Sequence, residues 1–249
     1  MAGGSEPGAS LVARTLTVLG AFDAQHPTLS LSELTARTGL SSATTLRIAR
    51  ELVAGGALTR GTDRRYRIGR TIWHLGLLSP VETDLRTAAA PFLHDLHATT
   101  RATVHLAIRE GDEVLYLDRL AGQASVPVVS RVGGRLPLYA TGVGKVLLAA
   151  APAAVVHRVA AGLVPVTPYT IVTPGQLTRQ LARVRAEGYA TTREEMTLGA
   201  CSIAVPVTVD TAVIAAVGVV IPDLRRHRAT LITALTMAAR GIARTMTTV

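Results

Sequence analysis

Cysteine is nearly absent from this chain. Cys201 stands alone among 249 residues, so no intrachain disulfide can form, and the expected setting is a reduced cytoplasm. Lysine is equally scarce: Lys145 is the single one, and the excess of Lys plus Arg over Asp plus Glu, 26 to 17, is almost wholly arginine. The resulting net charge of +9 favours a polyanionic partner over an acidic small substrate, and where the arginines fall says more than their sum. Long apolar runs are missing too. The longest, 213–221, is far short of the about 20 residues a membrane helix needs and reads as a buried strand. The start of the chain carries no lysine or arginine before Arg14, which then interrupts its first apolar stretch, so no secretory signal is expected. No membrane partner, metal or cofactor is expected either. What the chain does have is 48% apolar residues, enough for one large or two unequal domains.

Residues 1–9 are small and glycine-rich and read as an unstructured tail. A first helix is expected over 10–25, with Val12, Leu16, Leu19 and Phe22 as its apolar stripe. Ser30 followed by Glu33 is a capping box opening a short helix over 31–37, and Gly39 sits where a left-handed residue closes it. Ser41 or Ser42 then caps a third helix. Leu46, Ala49 and Leu52 or Val53 are expected on its inner face, with Ser42, Thr44, Thr45, Arg47 and Arg50 outward. After Gly55 and Gly56, strands at 57–59 and 65–68 flank the turn Gly61-Thr62-Asp63-Arg64. Two helices, a short turn, a third helix and a basic hairpin are the order of a winged helix-turn-helix, whose third helix enters the DNA major groove.

The expected domains are 10–69 for that module, 70–80 for a linker helix bearing Ile72, Trp73 and Leu75 and closed by Pro80, and 81–249 for a second domain. In the second, Leu85, Ala89, Phe92, Leu93 and Leu96 mark a long helix. A hairpin pairs 103–109 with 113–119 around Gly111, further strands fall at 126–131, 202–208 and 213–221, and helices fit 142–151, 153–161, 175–187 and 228–246. The fold class is α+β with a mostly antiparallel sheet.

The arginines give the DNA reading its chemistry. Arg47 and Arg50 on the third helix, and Arg60, Arg64, Arg65 and Arg67 on the wing, place guanidinium forks where phosphates and base edges would lie. Ser42, Thr44 and Thr45 are short enough to let the helix approach the groove floor. Signs of an enzyme are weaker. Gly144-Lys145 lacks both the leading glycine, replaced by Tyr139, and the following hydroxyl, replaced by Val146, of a phosphate loop. His94, Asp95 and His97 offer one helical turn of metal ligands without a second cluster. Cys201 would need a histidine such as His157 or His227 beside it to act as a nucleophile.

These segments together resemble the isocitrate lyase regulator (IclR) family of bacterial transcription regulators from Ser10 to about Arg244. Thr44-Thr45-Leu46-Arg47 with Leu52 and Gly56 is similar to the family's recognition helix, and Tyr66-Arg67-Ile68-Gly69 to its wing ending. The run Leu136-Pro137-Leu138-Tyr139-Ala140-Thr141-Gly142-Val143-Gly144-Lys145 resembles its most recognisable segment. Glu187-Gly188-Tyr189, Glu194-Glu195 with Gly199, and Ile203-Ala204-Val205-Pro206-Val207 follow in order. The resemblance implies a GAF/PAS-like sensor domain, double-stranded operator DNA as partner, a homodimer or dimer of dimers, and no catalytic role. It also implies a small-molecule effector held by Val128 on a strand, Gly142 and Val143 at a helix start, Glu194, Ser202, Gly218 and Val220. Where relatives that take small keto acids carry serines, this chain has Gly218 and Val220, so a larger or more apolar effector than glyoxylate or pyruvate is expected. The rival readings are an enzyme with an accessory DNA-binding domain and a DNA-binding protein whose second domain only oligomerises.

Overall fold

The computed structural model describes residues 10–23, 25–76, 78, 80–122, 126, 128–225 and 227–247, so the tail expected at 1–9 lies outside them. The chain divides into two units, Met1–Pro80 and Val81–Val249.

In the first unit the Ser10 hydroxyl accepts from Ala13 N and opens α1 (Leu11–Gly20). This helix is shorter than expected because Asp23 takes over: its carboxylate accepts from the amides of Gln25 and His26, a local turn that competes with a further helical turn. The expected stripe also needs correction. Val12 and Leu16 are 69% and 62% exposed, whereas Leu19 and Phe22 pack partly buried against a core that Val18 and Ala21 enter fully. After β1 (Thr28–Leu29), the predicted capping box opens α2 (Leu31–Thr38), with Ser30 N donating to Glu33 Oε2 at 2.7 Å, and Gly39 closes it at φ 67°.

Ser41 caps α3 (Ser42–Ala54), where Ala49 is buried and Leu52 and Val53 pack against the core as expected, but Thr45 and Ile48 complete the buried face while Leu46 is only half-buried. The hairpin is β2 (Leu58–Arg60) and β3 (Tyr66–Ile68), and β1 adds itself to β3, making a three-stranded antiparallel sheet. Two residues are too few to show alternation, which is why β1 is absent from the sequence reading. The wing joins the helices through Val18, Leu29, Leu34, Ile48, Leu58 and Tyr66, all essentially closed to solvent. Gly69 lets the chain leave the sheet: a Cβ there would sit 2.1 Å from the Gly56 carbonyl oxygen. α4 (Arg70–Gly76) follows. Pro80 does not close this helix but opens α5 (Pro80–Thr100), at a position where a missing N–H costs no helical hydrogen bond.

The second unit is built on one six-stranded sheet of order β6-β5-β4-β9-β8-β7, every pairing antiparallel. Its strands are β4 (Thr103–Glu110), β5 (Glu113–Leu120), β6 (Arg135–Pro137), β7 (Ala190–Arg193), β8 (Cys201–Val209) and β9 (Ala212–Ile221). The strand expected at 126–131 is not formed by the described residues there. The chain turns at Gly133, φ 73°, whose amide reaches Tyr116 O, and joins the sheet edge only at Arg135.

Alternation divides the strands between two cores. Val104 and Leu106, Ile203 and Val205, and Val217 and Val219 face α5 and α9 (Arg228–Thr247). Ala107, Ala204 and Ala216 face α6 (Gly142–Ala149), α7 (Ala153–Ala161) and α8 (Pro174–Glu187). Small residues on that second face let α6 lie close. All eight of its residues are buried, and a Cβ on Gly144 would stand 2.3 Å from Leu138 O.

Candidate functional site

On α3, Ser42, Arg47 and Arg50 are exposed and Thr44 is half-buried, its hydroxyl accepting from Ser41 Oγ at 2.9 Å. Neither arginine has an ion-pair partner among the described residues. Thr45, expected outward, is 0% exposed because its hydroxyl donates to Ser41 O at 3.0 Å, which frees its methyl to pack inside. On the wing, Arg60 lies over the Tyr66 ring at 5.4 Å, and Arg64 stands at the turn with φ 59°. Arg67 is exposed and bonds Asp63 at 3.1 Å. Arg65 departs from the expected role. Its guanidinium turns back to Thr28 O at 3.0 Å and Glu33 Oε2 at 2.7 Å, tying the wing to the start of α2. Glu33, held by the Ser30 amide first and by Arg65 second, has its pKa lowered to about 2. The outward set is thus a helix with two unpaired guanidiniums beside a basic hairpin, the chemistry that grips a phosphate backbone and reads base edges.

The second unit holds a cavity of about 50 Å³ on the α6 face of the sheet. Gly142 and Val143 of α6, Ser202, Gly218 and Val220 of the sheet, and Val128 line it. Val128 lies on an irregular segment, not on a strand. Glu194 is not among the lining residues: its carboxylate accepts from Gly199 N at 3.0 Å and its amide donates to Ala200 O, closing the loop 194–200 on itself. That loop supplies Met196, Thr197 and Ala200 to the wall instead.

Five further polar residues that the sequence reading did not assign to the pocket also line it: His105, Tyr116, Ser130, Thr141 and Thr192. Ser202 Oγ and Thr192 Oγ1 share a hydrogen bond of 2.6 Å, and a Cβ on Gly142 would come within 2.5 Å of Ser202 Oγ. These hydroxyls therefore sit against the first turn of α6, where Thr141 accepts from Gly144 N and the helix amides meet the cavity. Burial holds His105 down at about 3, helped by the nearby Arg119, so its ring is neutral, and it bonds Ser130 at 2.7 Å. Burial likewise pushes the Tyr116 phenol up, against a hydrogen bond with Thr141. No described residue lining the cavity carries a charge.

The loop 194–200 is fixed from behind. Lys145 Nζ donates to both Glu195 oxygens, at 2.6 and 2.7 Å, and to Gln180 Oε1 at 2.6 Å, while Thr167 and Thr170 hydroxyls donate to the Glu194 and Glu195 carbonyls. Burial presses the lysine pKa down and the glutamate pKa up, and each partner opposes the other's shift. Lys145 is thus a structural ion-pair residue in the core.

The enzyme-like features do not assemble. Burial pushes the Cys201 thiol pKa up, opposite to the activation a nucleophile needs. The rings of His94 and His97 each bond a backbone carbonyl, of Ala90 and Ala102. Among the described residues no three His, Cys, Asp or Glu gather as metal ligands, and no helix is long and apolar enough to cross a membrane.

A helix-turn-helix with a basic wing, followed by an antiparallel sheet cupping a partly open, uncharged cavity, defines a ligand-responsive transcription regulator. The particular family follows from comparison. Residues 79–247 match the bacterial transcriptional regulator IclR C-terminal domain and residues 11–61 the IclR helix-turn-helix domain, so the chain belongs to the IclR family. It is 32% identical to the HTH-type transcriptional regulator XynR of Escherichia coli K12 over 79% of each chain. It is 29% identical to the HTH-type transcriptional repressor AllR of Salmonella typhi over 89% of this chain and 83% of that one. Among solved structures it is similar to an IclR homolog of Microbacterium hydrocarbonoxydans complexed with 4-hydroxybenzoate. The TM-score there is 0.92 and the identity 34%, covering 96% of this chain and 100% of that one. The protein is a transcription regulator with a DNA-binding helix-turn-helix and an effector-binding C-terminal domain.

Proposed function

We propose that this regulator is a cytoplasmic repressor that releases or remodels its operator complex when an aromatic monocarboxylic acid enters the cavity. The observation that carries the effector class is the lining itself. It is uncharged and mostly apolar, with hydroxyls of Ser202 and Thr192 gathered at the amide end of α6. One carboxylate matches those amides and hydroxyls, and a ring matches the apolar walls, which reward burial at roughly 25 cal/mol per Å². A small keto acid would set its second polar group against apolar walls that cannot hydrogen-bond it. The structural neighbour that holds 4-hydroxybenzoate supports the same class, and the similarity to AllR supports repression.

The operator contacts in this reading are Ser42, Thr44, Arg47 and Arg50 on α3 with Arg60, Arg64 and Arg67 on the wing. Effector contacts are Val128, Gly142, Val143, Ser202, Gly218 and Val220. The working unit is a homodimer or a dimer of dimers, which presents paired α3 helices to two half-sites of a near-palindromic operator. Residues 10–69 act as the DNA-binding module, 70–80 as the linker and 81–249 as the sensing and oligomerising part, with no catalytic step. The experiment is a gel shift of the purified protein on its own upstream DNA beside a scrambled duplex, with and without aromatic and aliphatic acids. A specific shift altered only by the aromatic acids is expected. A specific shift indifferent to every acid would remove the effector half of the reading.

A further inference from the structure

His105 lies on β4 in register with Gly218 of β9, which is in turn in register with Ala204 of β8. Ser202 stands two residues from Ala204 on the same face. Ser202 is therefore two strands and two residues away from His105, about 12 Å across the sheet, and Thr192 lies one strand further. Between them the sheet face presents Gly218, Val220 and Ala204, with Val143 above. The cavity has two polar ends separated by an apolar floor, and the proposed function uses only one of them.

The His105 end carries its own signs of an absent partner. Among the described residues, two buried side-chain polar atoms have no hydrogen-bond partner, Thr103 Oγ1 and Arg119 Nε. Both flank His105. Thr103 is two residues before it on the same face of β4, and Arg119 is opposite it in register on β5. Buried polar atoms are otherwise almost always paired, so the strand positions beside His105 are under-satisfied, although neither residue itself lines the cavity. Ser130 Oγ meets His105 Nε2 at 2.7 Å, which engages one of the hydroxyl's three hydrogen-bonding positions. The carboxylate is already assigned to the α6 amides, so a neutral donor and acceptor is what remains for this end, where the lining residues His105 and Ser130 are themselves uncharged.

We infer that His105 and Ser130 form a second polar subsite, which receives a hydroxyl substituent on the effector ring opposite its carboxylate. A single ring with oxygen functions at its two ends, and a hydrogen bond beyond each, has the length of the gap between the subsites. This inference rests on the proposed aromatic-acid reading and sharpens it: the protein distinguishes a para-hydroxylated aromatic acid from its unsubstituted parent.

The test is calorimetric titration of the full chain with 4-hydroxybenzoate and with benzoate, for the wild type, His105→Phe and Ser130→Ala. The wild type should favour the hydroxylated acid by about tenfold or more, the worth of one well-made hydrogen bond in a dry site. In both variants the ratio should fall toward one. Because the reading is a ratio within each protein, a loss of overall stability does not imitate it, and Ser130→Ala serves where His105→Phe does not fold. Equal wild-type affinities for the two acids would overturn the subsite and leave the aromatic-acid reading intact. A ratio unchanged in either folded variant would overturn it as well. Failure of both acids to bind the wild type at millimolar concentration would overturn the aromatic-acid reading, and this subsite with it.

Discussion

The only lysine of the chain, Lys145, and Glu195 meet through two hydrogen bonds of 2.6 and 2.7 Å, with side chains 1% and 7% exposed. One partner belongs to α6, whose first residues border the cavity, and the other to the loop that supplies its far wall. The pair therefore fixes the distance between two walls of the effector site. Removing one partner leaves a buried charge alone, which costs about 3 to 5 kcal/mol, whereas replacing both with apolar residues of similar volume is often neutral. Lys145→Met should accordingly lower the urea midpoint strongly, and Lys145→Met with Glu195→Leu should recover most of the loss. A double variant no more stable than the single would contradict a compensated pair.

The arginines divide into readers, grips and a strut. Arg47→Ala should reduce operator affinity by about 1 to 3 kcal/mol and relax sequence preference. Arg60→Ala or Arg64→Ala should weaken all DNA alike and reduce the salt slope by about one. Arg65→Ala should instead lower the melting temperature of the N-terminal unit, because Arg65 is bonded to Thr28 and Glu33. Gel shifts at several salt concentrations, set beside thermal unfolding, separate the three.

His105 makes stability depend on acid. Its folded pKa, about 3, lies below the ordinary histidine value of 6.5, so between those values the unfolded chain takes up a proton that the folded chain refuses. Stability should therefore fall as pH drops below 6.5, with this residue contributing up to about 1.4 kcal/mol per pH unit. Tyr116 at 4.9 Å and Arg119 across the ladder are its ionisable neighbours, and burial pushes the Tyr116 phenol up, away from that window. Urea midpoints at pH 6.5, 5.5 and 4.5 should show a shallower decline in His105→Phe.

Gly142→Ala should blunt the effector response without unfolding the domain. The added methyl would meet the Ser202 hydroxyl at 2.5 Å, a side-chain atom that can rotate away but only by leaving its bond to Thr192. Gly69→Ala has no such escape, since it meets the Gly56 carbonyl at 2.1 Å. It should destabilise the N-terminal unit by more than about 1 kcal/mol in thermal or urea unfolding. Equal stability of the two variants would contradict this assignment.

The sequence shows most plainly what is stabilised by neighbours in the chain. The capping box of Ser30 and Glu33, the left-handed Gly39 and the wing turn are contacts within a few residues, so residue type and spacing reveal them. Arg65 reads as one more wing arginine because its partner Glu33 is 32 positions away. Thr45 reads as polar surface because a hydroxyl satisfied within its own helix leaves no trace in composition. His105 is hidden for a different reason. In an alternating strand a histidine passes for the solvent-facing residue, and only the second layer of helices, α6 to α8, turns that face into an interior. Gly142, Val143, Ser202, Gly218 and Val220 were legible through the family pattern, which carries the cavity's floor and one end but not the other.

The sheet is a partition one peptide thick. His105 looks into the cavity, while Val104 and Leu106, its immediate neighbours in the chain, press against the layer that contains α5. Cavity and long helix thus stand in adjoining rooms with a common wall, and β4 is the part of that wall both of them touch.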